Sequence, residues 1–341
     1  MVRSFTLMPT ISVEMSNKRF YTSMMSVELP FVTESMNSFY RNAFAGFLLH
    51  EFGGYRTERG PLRILEVGCN SGYFMEGLYE SMKSIESGSH AEAAKMVEYT
   101  GIDLSQYALI KANRILEKRD NDFFRTRLLR KDLIVEDFDG KYDLIVANEL
   151  FDDIGSLIYT VHNGDIYEMR PLEKVVPEGF SIVGRRFSIK CGESGARFES
   201  LNSSEKEIVY GLREGELVTV SPNSIRLLEN LVNKLSRGGM LFIHDYGWVG
   251  NIPSWLRKEG VRAYGSRGKS SLSNELEELA PKFQITVDVN FSELADYLKS
   301  FGEVHIVPYK DFINLDSQKK RGEMQKTVNE YGFLNLIMRR D

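Results

Sequence analysis

The segment LRILEVG (62–68), apolar but for Arg63 and Glu66, reads as a short buried strand that breaks at a small-residue turn and passes into a helix from about Tyr73. A strand that is mainly apolar, instead of alternating, has both faces buried. The unit recurs. YTGID (99–103) leads into a helix through Ala108 to Leu116, RTRLLRKDL holds a third, shorter strand, and YDLIVAN (142–148) is a fourth. The amphipathic helix NSIRLLENLVNKLSRGG, ended by Gly238-Gly239, precedes a fifth strand, MLFIHDYG (240–247). FSELADYLKSFG is a helix before EVHIVPY (303–309), and GFLNLIMRR (332–340) closes the chain as a last strand. Strands alternating with helices predict a parallel sheet covered on both faces. The last two strands have no strong helix between them, which predicts an antiparallel ending.

Five parallel strands and an antiparallel end pair make the Rossmann-like α/β sheet of the class I methyltransferase plan. Ahead of it, Met36, Phe39, Tyr40, Ala43, Phe44, Phe47 and Leu48 recur at helical spacing up to Gly53-Gly54, an aromatic stripe that reads as core packing. The predicted organisation is a helical N-terminal extension (1–60), the first half of the core (61–154), an insertion (155–215), strand five with its helix (216–247), a second insertion (248–289), and the C-terminal helix and last strands (290–341). The first insertion carries Asn163-Gly164 between β-prone runs, a strong hairpin signal. Both insertions leave the sheet after a strand's C-terminal end, the edge where open α/β sheets bind ligands, so they are expected to form a substrate-side subdomain.

Composition narrows the function classes. A formal charge of −5 argues against a dedicated nucleic-acid binder. Two cysteines, Cys69 and Cys191, supply neither a disulfide framework nor zinc-ligand spacing, and no metal is expected. No apolar run reaches the roughly 20 residues of a membrane-spanning helix. A cytoplasmic, intracellular location is expected; the Ser/Thr-rich N-terminus, with Glu14 its one acid up to residue 26, leaves mitochondrial targeting as the alternative.

The first turn has the form E-x-G-x-x-x-G: Glu66, Gly68, Gly72, with Asn70 where a dinucleotide fingerprint has its middle glycine. That substitution disfavours an NAD-linked dehydrogenase. A glutamate before the turn disfavours a pyrophosphate and suits a cation; S-adenosylmethionine carries a sulfonium and an ammonium. Asp103, with Leu104 beside it, closes the second strand where a carboxylate takes two ribose hydroxyls. Asp132, with Leu133, is placed to meet an adenine amino group. S-adenosyl-L-methionine is therefore the expected cofactor, held by Glu66, Gly68, Asn70, Gly72, Asp103, Leu104, Asp132, Leu133 and Asn148.

The sequence resembles the MidA-type methyltransferases, the family of the mitochondrial complex I assembly factor that dimethylates a protein arginine. LPFVTESMNSFYRNAF is similar to the family's dFvTapE…F segment, LEVGCNSGYFMEGL to lElGPGrGtLm.dlL, and GIDLSQYAL to ivE.Sp.L. VANELFDDI is similar to the signature aNElfDAlP, LLENLVNKLSRGGMLFIHDYGW to …lrrG.lliDYGy, and RAYGSRGK…ITVDVNF to lRaYr.H…DiTahVdF. The chain departs from the pattern with CNSG for PGRG, Gly155 for a proline, Asp288 and Asn290 for the histidine and aspartate of HVDF, and Arg267 or Gly268 for a second histidine. The resemblance implies a methyltransferase acting on a protein, with arginine as the preferred side chain.

Asn148, Glu149, Asp152 and Asp153 then stand at the end of strand four, where the methyl group would be presented. Paired acids hold a planar guanidinium by bidentate hydrogen bonds and orient one nitrogen for attack. Glu149 with Asp152 is the expected catalytic pair, with Asn148 positioning substrate or cofactor. The alternatives are that Asp152 or Asp153 caps a turn and that Glu149 pairs with a structural arginine. Thr33, Asp153, Asp245 and Tyr246 are expected at the cleft, and His244, a lone strand histidine, is read as non-catalytic. A small-molecule acceptor, or a non-catalytic assembly protein that keeps the fold, are the competing functions.

Overall fold

The structure, a computed structural model, describes residues 14–15, 17–18, 21, 37–53, 60–86, 97–118, 124–171, 187–190, 201–252, 261–265, 283–314 and 330–341. Thr33, Gly54, Cys191, Arg267 and Gly268 lie outside them. In chain order the elements are α1 (Ser38–Gly53), β1 (Leu62–Val67), α2 (Tyr73–Glu86), β2 (Val97–Asp103), α3 (Gln106–Leu116), β3 (Phe124–Arg130) and β4 (Tyr142–Asn148). Then come β5 (Leu157–His162), β6 (Asp165–Pro171), β7 (Phe187–Lys190), α4 (Ser203–Tyr210), β8 (Leu217–Val220), α5 (Pro222–Lys234) and β9 (Leu235–Val249). The chain finishes with β10 (Val261–Gly265), β11 (Phe283–Val287), β12 (Val289–Asn290), α6 (Phe291–Leu298), β13 (Gly302–Pro308), α7 (Tyr309–Ile313) and β14 (Glu330–Arg340).

The chain forms two compact units, one of residues 28–151, 225–251 and 289–341, the other of 1–27, 152–224 and 252–288. In the larger unit the sheet order is β13-β14-β9-β4-β1-β2-β3, with β12 added beside the end of β9. β3, β2, β1, β4 and β9 are mutually parallel, and the central β1 and β4 are buried along nearly their whole length, as covered parallel strands are. β14 runs antiparallel to β9, and β13 antiparallel to β14. β13 therefore points the same way as the parallel five, and β14 alone is reversed.

Two boundaries differ from expectation. The helix ahead of strand five ends at Lys234, not at Gly238-Gly239, and the strand starts at Leu235. The register against β4 shifts between Tyr142–Leu235 and Leu144–Met240. Gly238, at φ 71°, lies within that irregular stretch, so here glycine serves a bulge within a strand and not a helix stop. α1 packs on one sheet face through Tyr40, Phe44, Phe47 and Leu48, at i, i+4, i+7 and i+8. Its Phe44 ring meets Phe242 of β9 edge-on at 4.6 Å, a geometry that aromatic quadrupoles favour. No helix among the described residues is long and apolar enough to cross a membrane.

The smaller unit contains a four-stranded antiparallel sheet, β7-β6-β5-β8. Its hairpin turns at Asn163 and Gly164, both at positive φ, and the Glu214 carboxylate takes the two turn N–H groups at 2.9 and 3.2 Å. Tyr159, Leu201, Val209, Leu212, Val218 and Val220 form its core. β10 and β11 make a separate antiparallel pair.

Candidate cofactor and methyl-transfer site

The turn after β1 is a loop of left-handed residues: Gly68 (φ 71°), Asn70 (φ 47°) and Gly72 (φ 75°). Asn70 tolerates this because its short polar side chain can bond locally; here its amide oxygen accepts Ser71 Oγ at 3.1 Å. The loop is tied to β2 through Gly68 N–H and Cys69 N–H, both donating to the Ile102 carbonyl. Glycine at 72 also answers a packing need. A Cβ there would lie 3.2 Å from Ala112 and Leu116 of α3.

Asp103 closes β2 as expected and braces the loop. Its Oδ2 accepts Asn70 N–H at 2.8 Å and its Oδ1 accepts Ser105 N–H at 2.7 Å, at the start of α3. Burial outweighs these donors and pushes the carboxyl above its ordinary value. Asp132 lies just beyond β3, where its carboxylate accepts Ile134 N–H at 3.2 Å in a tight turn. Leu104 and Leu133 contribute backbone carbonyls to that region, accepting Arg130 Nε and Asn230 Nδ2 at 3.3 and 3.2 Å.

Glu66 is 3% exposed and sits within β1. Its Oε2 accepts the Tyr99 hydroxyl at 2.7 Å. Burial pushes its carboxyl up to about 8, opposed by the Tyr99 hydrogen bond and the Asn148 side chain and assisted by Asp103. Among the described residues no cationic side chain contributes to the shift of Glu66 or of Asp103. The buried Glu66 and half-buried Asp103, with no cationic partner among the described residues, fit a cationic ligand, and the left-handed loop leaves backbone open to it. S-adenosylmethionine matches both features.

A linkage follows. Glu66 is protonated more readily in the folded chain than in the unfolded one, so its contribution to stability is full below pH 4.5 and is lost as pH rises through about 8. Unfolding free energies from urea titrations between pH 5 and pH 8 are expected to fall for the wild type relative to Glu66→Gln, by at most about 1.4 kcal/mol per pH unit. Equal slopes for the two proteins would remove Glu66 as the responsible group.

At the end of β4, Asn148 is 9% exposed and its Oδ1 accepts the Tyr40 hydroxyl at 3.4 Å. Glu149 follows, half-buried, at φ 46°, a conformation strained for a residue with a Cβ. The turn is pinned from β9. Glu149 N–H donates to the His244 carbonyl at 2.7 Å, and Leu150 N–H and Phe151 N–H donate to Asp245 Oδ2 at 3.1 and 2.8 Å. Asp245 Oδ1 accepts Tyr246 N–H at 2.8 Å.

Asp245 is fully buried, and its two carboxylate oxygens accept three backbone N–H groups. Tyr246 is half-buried and packs edge-on against Tyr331 and Phe333. In the smaller unit Asp152 supplies a carbonyl to Val287 N–H at 3.1 Å. Asp153 is buried there, its carboxylate accepting the Tyr21 hydroxyl and its carbonyl accepting Asn17 Nδ2 at 2.8 Å. Asp288 is buried, and Asn290 caps α6 by accepting Glu293 N–H at 3.3 Å.

Tyr40 is the main addition to the expected site. It was read as core packing, and it is fully buried, yet its hydroxyl lies near Asn148, Glu149, Tyr309 and Glu66. Burial first, then Glu149, raises it well above the ordinary tyrosine value, so it stays a hydrogen-bond donor. Tyr99 and Asn335 were missed too. The available signal was the same in each case: a polar atom inside an otherwise apolar run.

A methyltransferase-domain family matches residues 65–163. No curated protein matches the chain. Among solved structures, an uncharacterized COG1565 superfamily protein from Burkholderia thailandensis superposes with a TM-score of 0.63 at 15% identity, covering 97% of this chain and 87% of that one. A second COG1565 superfamily member from the same organism, solved with S-adenosyl-homocysteine bound, gives 0.59 at 14% identity over 97% and 88%. The chain therefore has the class I methyltransferase fold, and its residues 65–163 are similar to the methyltransferase-domain family.

Proposed function

We propose that the protein is an S-adenosylmethionine-dependent methyltransferase whose acceptor is a protein, with the arginine side chain as its target. The carrying observation is Glu149: a half-buried carboxylate held in a strained conformation at the tip of β4, near the Tyr40 hydroxyl. Strain kept at a strand end, and braced by Asp245 from the next strand, supports a functional reason for that residue.

Glu66, the loop of Gly68, Asn70 and Gly72, and Asp103 hold the cofactor, with Asp132, Leu104 and Leu133 along its adenosine side. Bound S-adenosylmethionine supplies an electrophilic methyl group on a sulfonium. Glu66 meets that positive charge by giving up its proton, so cofactor binding strengthens as pH rises towards about 8. Glu149 accepts the acceptor's N–H groups, fixes its plane, and takes the proton that nitrogen sheds on methylation. Asp152 keeps the second place in the acidic pair on its sequence position alone. Asn148 orients the methyl end.

Incubation with methyl-labelled S-adenosylmethionine and a cell lysate, beside Glu149→Ala, tests this. Label is expected in a discrete protein band, as methylarginine after acid hydrolysis, and absent with the variant. Label in the small-molecule fraction would replace the protein acceptor by a small one. Cofactor binding without any transfer would leave an assembly protein that has kept the fold.

A further inference from the structure

A row of polar side chains crosses the C-terminal part of the sheet on the face covered by α1. Tyr99 of β2 donates to Glu66 of β1. Asn148 of β4 lies opposite His244 of β9, and His244 lies opposite Asn335 of β14. All five are buried. The row's far end fixes its chemistry. Asn335 Nδ2 donates to the Val307 carbonyl at 3.1 Å, and a carbonyl can only accept. The amide oxygen of Asn335 therefore faces His244 Nδ1, 2.9 Å away, so Nδ1 carries the proton.

Burial pushes His244 down to about 4, so the ring is neutral and its Nε2 is a bare lone pair. That atom is buried and has no hydrogen-bond partner among the described residues. Burying an acceptor without a donor is unfavourable. The imidazole is also held by aromatic rings, Tyr40 at 4.5 Å and Phe333 near-parallel at 5.3 Å, with Tyr309 at 5.9 Å. Its strand neighbour Asn148 leads directly into Glu149.

We propose that His244 is an acceptor-recognition residue: its Nε2 takes an N–H of the group to be methylated, alongside the Glu149 carboxylate. Two acceptors set among aromatic rings select a planar cation that offers several N–H donors, a guanidinium, over an alcohol or a carboxylate. Tyr40, tilted against the imidazole at 4.5 Å, must yield for the group to reach it. The inference rests on the methyltransferase reading above and deepens it from one acid to a defined donor pattern.

The chain has five histidines, which makes nitrogen NMR of imidazole-labelled protein tractable. The protein is first saturated with S-adenosylhomocysteine, with binding confirmed by calorimetry, and then titrated with methylguanidine; His244→Phe assigns the resonance. The His244 Nε2 signal is expected at the unprotonated position and to move upfield on titration. His244→Phe is expected to weaken methylguanidine binding by about tenfold or more with S-adenosylhomocysteine affinity unchanged. If that variant fails to fold, Asn335→Asp serves instead: a carboxylate facing Nδ1 favours the imidazolium, turns Nε2 into a donor and weakens binding likewise. A protonated Nε2 in the free protein, or an unmoved signal with unchanged affinity, overturns the role of His244 alone. Equal binding of acetate overturns the selectivity. Failure of S-adenosylhomocysteine to bind overturns the cofactor reading itself.

Discussion

Glu149→Gly is expected to reduce methyl transfer by about 10²–10⁴-fold while leaving the protein as stable as the wild type or up to about 1 kcal/mol more stable. The two effects separate because they come from different parts of the residue. At φ 46° the Cβ of Glu149 crowds its own backbone, and glycine has no Cβ. Against that gain stands the larger entropy of glycine in the unfolded chain, which keeps the net change small. The carboxylate, meanwhile, is the group proposed to orient the acceptor. The backbone bond from residue 149 to the His244 carbonyl survives in the variant, as do the two bonds to Asp245. Glu149→Ala loses the same carboxylate but keeps the strain, and should sit below the glycine variant by about 1 kcal/mol. Urea midpoints with a labelled-methyl rate assay read both quantities. Retained transfer in the glycine variant would remove Glu149 from the chemistry; a large loss of stability would make it structural.

Asp245→Ala should cost about 3–5 kcal/mol of stability, the largest effect expected from a single side chain in the region. Three backbone N–H groups, from Leu150, Phe151 and Tyr246, end on its carboxylate, and the residue is fully buried. Removing the acceptor strands those donors in the interior, where water cannot replace it. Asp245→Asn keeps one oxygen and should fall between the two, since the amide nitrogen faces a donor on one side. Transfer should drop in both, because the turn that presents Glu149 is released. Denaturant unfolding of the folded fraction gives the stability order. An alanine variant within about 1 kcal/mol of wild type would show that the turn holds itself.

Much of the fold was legible because it rests on local patterns. The mainly apolar runs at 62–67 and 142–147, interrupted only by Arg63, Glu66 and Asp143, call for burial on both faces, and the register pairs them as neighbouring parallel strands. Asn163-Gly164 needs left-handed backbone twice, and the hairpin turns there. The helix-to-strand passage at 234–240 was not legible. Two glycines after a helical pattern ordinarily end a helix, but pairing with β4 takes the strand back to Leu235. Tertiary pairing outweighs local preference at such positions.

The site divides in the same way. Sequence by itself determined the E-x-G-x-x-x-G turn, the acid ending β2 and the polar burst after β4, because each follows a strand end and strand ends on one edge of a parallel sheet converge. It also determined that no middle glycine stands at Asn70, and so which cofactor chemistry the turn suits. Only the tertiary structure decided what individual polar groups do. Asp245 accepts three backbone donors and so braces the turn after β4. Tyr40, one hydroxyl in a stripe of phenylalanines, comes to Asn148 from a helix 108 positions away. His244, set aside as a lone strand histidine, acquires a fixed tautomer from Asn335, 91 positions on. A hydrogen bond depends on atoms within about 3 Å, and residues so far apart in the chain reach that distance only through the folding of the sheet.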